Sequence, residues 1–523
     1  MSSQEDVLDS LFILSYLLYW YLTKEYNYWK DRNVPFIKPS VPFGSAKEQM
    51  MKRSSWISFI NQFYANFKHQ GFGGVYFGRR PSFWVCDPKL VEHILVEDFA
   101  HFHDRWRQSP KSETAEGNTL MFSQGEKWRS LRLKLSPAFT SGKVKGMFQQ
   151  ILSSTDNFIQ RVVSSDHQDG VDVESLTTDF ATEAMVSCLC GVQMSNSKEA
   201  VEFNKALNII YKPTLRRNIV FTLYSIFPTK LFKFIGIRGA PHEAIDILKG
   251  VVKSILNYRK RSGERRNDIL QTMFDLKEQE ESEYGKEEIE IMFSSKIKRL
   301  LKQLMVKDPE PTKQFTEEAI AAQILGFMSA GIKPISVTVT FALFEIANNP
   351  SIQNKLHKEI DSVMLKHKDW NLEALREMTF LDGVVQETLR VYSVNVLLMR
   401  AVNEKYNLPG TEVVLEKDMQ VFITSDALHK DPDLYPSPLE FRPERWQGNN
   451  YRTSSTYLPF GHGPRICISI RLAVLTVKLC LARVVAQHDL SISPKMTLPL
   501  QFDKNVHFKA RDGVWLRFSK RKS

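Results

Sequence analysis

The sequence predicts a mainly α-helical protein with small β-sheets. Apolar residues recur at helical spacing over most of residues 90–360. Two short β-type runs, GGVYFG and SFWVC, lie between residues 71 and 86 and predict a hairpin. After Arg400 the chain becomes rich in loops and prolines, and a last β-like segment follows at residues 514–518. The sequence contains no internal repeat, so we expect one large helical body with small β elements.

Length and composition bound the class of protein. The 523 residues exceed the usual size of one domain, which leaves two or three ordinary domains or one large domain organised around a cofactor. A content of 43% hydrophobic and 25% charged residues is typical of a globular protein. The five cysteines are too few and too scattered for a disulfide framework, which favours a reducing compartment such as the cytosol.

The positive charge has two interpretations. The formal net charge of +11 is spread along the chain, as expected of a solvated surface or of attraction to anionic lipid or an acidic protein partner. No basic helix, zinc-ligand spacing or aromatic–basic sheet motif accompanies it, so a nucleic-acid partner is not expected. The charged stretch at residues 277–313 is expected to be a solvated insertion between helices.

The N-terminus predicts an uncleaved membrane anchor at residues 1–24. Residues 7–22 are strongly apolar and end in tyrosines and tryptophans, which favour the membrane–water interface. The start is acidic and no cleavage site follows, unlike a signal peptide. Lys24 and Lys30 come after the segment, so we expect the body on the cytosolic side. A buried amphipathic helix is the alternative.

Two further divisions follow the anchor. Residues 25–45 include the proline-rich run NVPFIKPSVP, which cannot be helical and predicts a stiff linker. Residues 46–523 are then expected to form the main domain.

The chemistry is concentrated in the window LPFGHGPRICISIRLA, residues 458–473. Gly461, Gly463 and Pro464 predict a tight turn, and an apolar helix follows Cys467. A cysteine at such a junction faces helix and turn amides that stabilise a thiolate, which an iron–sulfur bond requires. The alternative is a buried core cysteine, an interpretation that fits Cys480 on the same helix equally well.

This window resembles the haem-binding signature of the cytochrome P450 family, Phe-x-x-Gly-x-Arg-x-Cys-x-Gly. Phe460, Gly463, Arg465 and Cys467 match it, whereas Ser469 stands where the family has glycine. The resemblance implies haem b, with Cys467 as axial thiolate ligand and Arg465 beside a propionate. It also implies the family fold, in which the haem lies between a long distal helix and the cysteine-loop helix.

Other blocks extend the resemblance in the right order. Glu387 and Arg390 match the family's Glu-x-x-Arg, and Arg445 matches the arginine of a later Pro-Glu-Arg segment; all three are implied to be structural. A separate group is implied to bind the propionates: Trp128, Arg132 and Arg400.

The resemblance covers the chain from about Tyr28 almost to its end. Blocks such as YWKDRNVPF, HFHDRW and ALHKDPDLYPSPLEFRPERW are similar to the insect detoxification branch, family 6. This resemblance implies an NADPH-dependent monooxygenase in the endoplasmic reticulum membrane that acts on lipophilic compounds such as plant toxins or insecticides. Electrons would come from NADPH–cytochrome P450 reductase, with cytochrome b5 as an optional second partner. We expect four basic residues to meet the acidic surface of the reductase: Arg129, Lys134, Lys143 and Arg471.

The distal helix departs from the family pattern. Residues 315–349 predict one long helix capped by Thr316. Its Ala330 and Gly331 match the family motif, but Lys333 and Pro334 replace the acid and the threonine that help relay protons. Proline lacks an N–H, so the carbonyl of Ala330 loses its helical partner, and a kink with a bound water is expected there. Thr338, one turn along, is a candidate substitute hydroxyl.

Two alternative functions follow from these departures. One is a haem-thiolate isomerase or peroxygenase, which consumes peroxide and needs neither reductase nor threonine. The other is a haem-containing protein that sequesters lipophilic compounds without turnover. The substrate pocket is expected from five segments: the one after Trp106, residues 207–239, 327–332 and 394–399, and a loop near His507.

Overall fold

A computed structural model describes most of the chain. The described residues are 2–51, 55–106, 115–165, 169–194, 198–211, 242–281, 315–503 and 508–521. Three of the predicted pocket segments lie largely or wholly outside them, namely the one after Trp106, residues 207–239 and the loop at His507. Most of the predicted insertion at 277–313 also lies outside.

Helices dominate the described residues, as the sequence predicts. In chain order they are α1 (Ser2–Thr23), α2 (Lys47–Met50), α3 (Trp56–Phe67), α4 (Pro88–Glu92), α5 (Gly125–Leu135), α6 (Ser141–Gly146), α7 (Phe148–Ser165), α8 (Val173–Cys190), α9 (Lys198–Tyr211), α10 (His242–Ser262), α11 (Ile269–Glu281), α12 (Glu317–Asn348), α13 (Pro350–His367), α14 (Leu372–Glu377), α15 (Thr379–Val391), α16 (Ser425–His429) and α17 (Ile470–Gln487).

The strands are short and form small sheets. In chain order they are β1 (Phe72–Phe77), β2 (Arg80–Val85), β3 (Val171–Asp172), β4 (Leu397–Ala401), β5 (Tyr406–Asn407), β6 (Val414–Leu415), β7 (Gln420–Thr424), β8 (His488–Ile492) and β9 (Trp515–Lys520). A four-stranded sheet has the order β1-β2-β7-β4, and a three-stranded sheet has the order β3-β9-β8. Strands β5 and β6 pair separately.

The described chain forms two compact units. The first includes residues 1–110 and 396–428, and the four-stranded sheet belongs to it. Strands β1 and β2 form the predicted hairpin, with Phe72 opposite Val85. Pro81 lies within β2 opposite Tyr76, so the turn is formed by Gly78 and Arg79.

The predicted linker is in backbone contact with β1. The Gly74 N–H donates to the Pro35 carbonyl at 2.7 Å, and the Ile37 N–H donates to the Gly74 carbonyl at 3.1 Å. The ring of the fully buried Trp29 covers Gly74 so closely that a Cβ there would lie 2.3 Å from it. Only glycine fits at this position.

The second unit includes residues 111–212, 241–395 and 429–523 and is built around α12. This 32-residue helix contacts α8, α10 and α17. Its N-cap is Thr316, whose hydroxyl accepts a hydrogen bond from the Ala319 N–H at 3.1 Å, as the sequence predicts. The helix is continuous through Pro334.

Hydroxyl contacts join α12 to α8. The Thr340 hydroxyl lies 2.6 Å from that of Thr177, and the Ser336 hydroxyl lies 2.9 Å from that of Thr178. All four side chains are buried or half-buried, so these contacts satisfy polar groups inside the helix interface.

Among the described residues, α12 is the one helix long and apolar enough to cross a bilayer, and 67% of its most apolar stretch is buried inside the protein. That burial identifies α12 as a core helix. Helix α1 differs, because its apolar residues are exposed on all sides; Leu8 and Phe12, for example, are 65% and 76% exposed.

Candidate functional site

Cys467 lies at the predicted junction between a loop and a helix. A 3-10 turn at Gly463–Arg465 precedes it, and α17 begins three residues after it. Gly461 and Gly463 have φ angles of 75° and 70°, which a side chain would strain. The Cys467 N–H donates to the Phe460 carbonyl at 2.9 Å. The loop therefore holds the cysteine by its backbone.

Cys467 also differs from the other four cysteines in exposure. It is half-exposed, whereas Cys86, Cys188, Cys190 and Cys480 are buried. Burial raises the pKa of Cys188 to about 12 and raises the pKa of Cys480 as well. A thiol in such surroundings resists ionisation, so these cysteines are poor ligands. This difference in exposure favours Cys467 over Cys480 as the candidate ligand.

An aromatic–guanidinium contact connects the cysteine loop to α5. The Arg465 guanidinium lies 3.9 Å from the centre of the Trp128 ring, and its Nη2 donates to the Ser123 carbonyl at 3.1 Å. Arg132 lies one turn beyond Trp128 on α5, and all three side chains are at most 4% exposed. The loop and α5 thus each carry a buried cation, and Arg465 is held against α5 by the indole, a setting that favours an anionic partner.

The three residues implied to be structural are in direct contact. Arg390 Nε donates to Glu387 Oε2 at 2.9 Å and Arg390 Nη2 donates to Glu387 Oε1 at 2.8 Å. Arg445 Nε donates to Glu387 Oε1 at 3.2 Å. The Trp446 indole, which the sequence does not single out, donates to Glu387 Oε2 at 2.8 Å. One carboxylate thus connects α15 to the Pro-Glu-Arg segment.

His429 is a connecting residue that the sequence reasoning missed. Its carbonyl accepts a hydrogen bond from Arg390 Nη1 at 2.7 Å. Its ring Nε2 accepts one from the Leu458 N–H at 2.8 Å, at the start of the cysteine window. Burial, with Arg390 nearby, lowers the pKa of His429 to about 3, so the ring is neutral and able to accept. Its position in ALHKDP gives no such signal.

Arg400 lies on β4 in the first unit. It is 2% exposed, and burial with Arg105 nearby lowers its pKa to about 9. Its Nη1 donates to the Met399 carbonyl, while its Nε is buried with no hydrogen-bond partner among the described residues. A buried guanidinium with an unsatisfied donor fits a carboxylate ligand such as a haem propionate.

The middle of α12 exposes a narrow stripe. Ala330 is exposed and Phe327 and Pro334 are half-exposed, whereas Met328 and Ile332 between them are buried. Positions 327, 330 and 334 fall on one side of a helix. A core helix therefore presents an apolar stripe at the position where the family motif occurs.

Lys333 and Thr338 each have a polar partner. Lys333 Nζ lies 3.5 Å from Glu174 Oε1 on α8, on the side that also bears Ser336. The Thr338 hydroxyl, 3% exposed, donates to the Pro334 carbonyl at 2.8 Å. Burial raises the pKa of Glu174, and Lys333 opposes that rise. The lysine thus has a carboxylate partner on the neighbouring helix.

Comparison with known families decides the assignment. The family model described as Cytochrome P450 matches residues 49–514, most of the chain.

The chain belongs to the cytochrome P450 family.

Curated relatives of this P450 are similar over nearly the whole length. Cytochrome P450 6B7 of Helicoverpa armigera is 29% identical over 518 residues, 98% of each chain. The probable cytochrome P450 6a21 of Drosophila melanogaster is 31% identical over 522 residues, 97% of each chain. Cytochrome P450 6B1 of Papilio polyxenes is 29% identical over 515 residues. These relatives confirm the predicted resemblance to insect family 6. They also confirm the predicted enzyme class, a cytochrome P450 monooxygenase.

The residues of this P450 fit the family cofactor, a haem whose iron is bound by a cysteine thiolate. A half-exposed cysteine on a loop that holds it by its backbone, with the buried guanidinium of Arg465 on the same loop, provides the thiolate and the cation that such a group requires.

The basic residues expected to face a redox partner are not equivalent in this P450. Lys143 and Arg471 are exposed and Lys134 is half-exposed. Arg129 is only 8% exposed and forms an ion pair with Glu126. The expectation for Arg129 is therefore wrong, because its charge is already neutralised within α5.

Proposed function

We propose that this chain is a haem-thiolate monooxygenase in which Cys467 binds the iron of haem b. The bound haem supplies dioxygen activation and the insertion of one oxygen atom into a lipophilic substrate. The observation that carries the proposal is Cys467 itself, the half-exposed cysteine of the chain, on a loop that the Arg465–Trp128 contact joins to α5.

Arg132, Arg465 and Arg400 are proposed to hold the propionates. Each guanidinium is buried and offers planar pairs of donors to a carboxylate. Trp128 supports Arg465 by stacking on it, which keeps the donor side of the guanidinium in one orientation.

Glu387, Arg390 and Arg445 are proposed to act structurally. Their contacts, extended by His429 to the Leu458 N–H, run from α15 to the start of the cysteine loop. The packing of Trp446 on Tyr457, with ring centres 4.1 Å apart, adds an apolar contact on the same route. These residues keep the loop in the shape that directs Cys467.

The stripe on α12 is proposed to face the reaction space. Ala330 and Pro334 give it an apolar surface that suits lipophilic substrates. Pro334 has no N–H, so the Ala330 carbonyl remains available to hold a water. Thr338 is proposed to pass protons from that water: its hydroxyl oxygen has lone pairs that accept a proton, and its own proton, which bonds the Pro334 carbonyl at rest, is then released to the next acceptor.

Helix α1 is proposed to anchor the protein in the endoplasmic reticulum membrane, with the body in the cytosol. Its apolar side chains, from Val7 to Trp20, are exposed on every face. Electrons from NADPH are proposed to arrive through NADPH–cytochrome P450 reductase, docked near Lys134, Lys143 and Arg471, with cytochrome b5 as an optional second donor. Plant toxins and insecticides are the proposed substrates, on the basis of the likeness to insect family 6.

The test is incubation of the haem-loaded protein with reductase, NADPH, isotope-labelled dioxygen and a panel of lipophilic probes. Label in the products is the expected result. Turnover only when an organic peroxide replaces NADPH and dioxygen would overturn the monooxygenase proposal in favour of a peroxygenase or isomerase. Tight binding of the probes without any turnover would instead support a sequestering protein.

A further inference from the structure

Ser469 places a hydroxyl beside the sulfur of Cys467. The distance from Ser469 Oγ to Cys467 Sγ is 3.4 Å, within the range of a hydrogen bond to sulfur. The family signature has glycine here, so this contact is an addition made by the present chain. It is a property of the side chain and not of the loop backbone.

The backbone at Ser469 does not require glycine. Its φ and ψ angles are −102° and 21°, a conformation that any residue can adopt. The serine is therefore accommodated without backbone strain.

The Ser469 hydroxyl is directed to the sulfur rather than to the helix. Ser469 is the N-cap residue of α17, a position where serine commonly accepts a hydrogen bond from the first turn. Here its side chain makes no such bond. The Ser469 hydroxyl therefore does not cap α17 and contacts the sulfur of Cys467 instead.

Ligand chemistry fixes which atom donates. A cysteine that binds iron is a thiolate and carries no proton, so the sulfur can only accept. The serine hydroxyl can only be the donor in that state. A hydrogen bond to a metal-bound thiolate withdraws electron density from the sulfur, which weakens its donation to iron.

We propose that Ser469 donates an O–H···S hydrogen bond to the iron-bound thiolate of Cys467 and thereby raises the reduction potential of the haem and weakens the iron–sulfur bond. This inference rests on the proposed function, because it requires Cys467 to be the ligand. Ser469 is a positioning and tuning residue, since it acts through Cys467 and not on the substrate.

The experiment compares the purified full-length haem protein with Ser469→Ala, Ser469→Gly and Ser469→Thr. The iron–sulfur stretching frequency is measured by resonance Raman spectroscopy, and the reduction potential by spectroelectrochemical titration. Removal of the hydroxyl should raise the stretching frequency and lower the potential, whereas threonine should keep both at the wild-type values. Ser469→Gly also removes the hydroxyl and restores the residue of the family signature. It can therefore be compared with the wild type if Ser469→Ala loses haem.

Ser454→Ala is the matched control. Ser454 bears a hydroxyl in the same loop, but it contacts Thr456 and not the sulfur. Ser454→Ala should therefore leave the iron–sulfur stretching frequency and the reduction potential unchanged. Unchanged frequency and potential in Ser469→Ala and Ser469→Gly, at normal haem content, would overturn the inference. Absence of any iron–sulfur band in the wild-type haem protein would instead overturn Cys467 as ligand, which distinguishes the two failures.

Discussion

Arg390 and Glu387 form a doubly hydrogen-bonded ion pair in which neither side chain is accessible to solvent. Charges so deeply buried are tolerated only when their donors and acceptors are satisfied. Here the remaining positions of the carboxylate accept from Arg445, Trp446 and the Arg442 N–H. The pair is therefore the centre of a network that spans elements far apart in the chain.

Glu387→Gln should destabilise the protein strongly. It removes the negative charge but leaves Arg390 buried, and loss of one partner of a buried pair typically costs about 3–5 kcal/mol. The free energy of unfolding measured in denaturant is the readout. Glu377→Gln is the control, because Glu377 pairs with Lys366 and His367 at the surface and should matter far less. Equal effects of the two substitutions would contradict the structural role of the network.

His429 should make stability depend on pH. Its pKa falls from the ordinary 6.5 to about 3 in the folded protein, so between these values the unfolded chain binds a proton that the folded one does not. The stability that the neutral His429 ring contributes is fully present above pH 6.5 and declines as the pH falls toward 3. The slope from one such group is about 1.4 kcal/mol per pH unit.

The measurement is the free energy of unfolding against pH for the wild type and His429→Gln. The variant lacks the ionisable ring, so its free energy of unfolding should fall less steeply than that of the wild type as the pH is lowered from 6.5 to 4. The difference in free energy of unfolding between the two proteins should therefore become smaller at low pH. Curves that stay parallel over this range would show that the ring is not held neutral in the folded state.

Thr338→Ala should raise the ratio of hydrogen peroxide released to product formed, because it removes the hydroxyl proposed to pass protons beside Pro334. Thr338→Ser should restore the wild-type ratio. Thr340→Ala is the control, since its hydroxyl contacts Thr177 on α8. With one probe substrate, the hydrogen peroxide released and the oxidised product formed are each measured per NADPH consumed. A wild-type ratio in Thr338→Ala would remove this residue from the proton path.

Deletion of residues 2–23 should release the protein from membranes. Full-length protein is expected to require detergent for extraction, whereas the truncated protein should leave with high salt, because the exposed apolar surface of α1 is gone. Leu14→Asp within α1 should weaken retention. Leu439→Asp, at a residue 84% exposed in the body, is the matched control and should not. Equal retention of the full-length and truncated proteins would contradict the anchor.

Local features could be predicted from the sequence. The hairpin at β1 and β2, the cap by Thr316 and the Glu387–Arg390 pair all depend on residues that are close together in the chain. The position of Cys467 between a glycine turn and an apolar helix is local in the same sense.

Contacts between distant segments could not be predicted in this way. Leu458 and His429 are 29 residues apart, and Lys333 and Glu174 are 159 apart. Sequence spacing does not tell which side of α12 will face α8, so the sequence places Lys333 in the distal motif but does not predict its contact with Glu174. The burial of Arg129 and the direction of the Ser469 hydroxyl likewise depend on packing around each side chain.

The central claim is that the Cys467 thiolate binds haem iron, and the ferrous carbon monoxide absorption spectrum tests it most directly. Wild type and Cys480→Ser should both give the red-shifted band of thiolate ligation, because Cys480 is buried in α17 away from solvent. Cys467→Ser should lose that band. Loss of the band in Cys480→Ser with retention in Cys467→Ser would contradict the assignment.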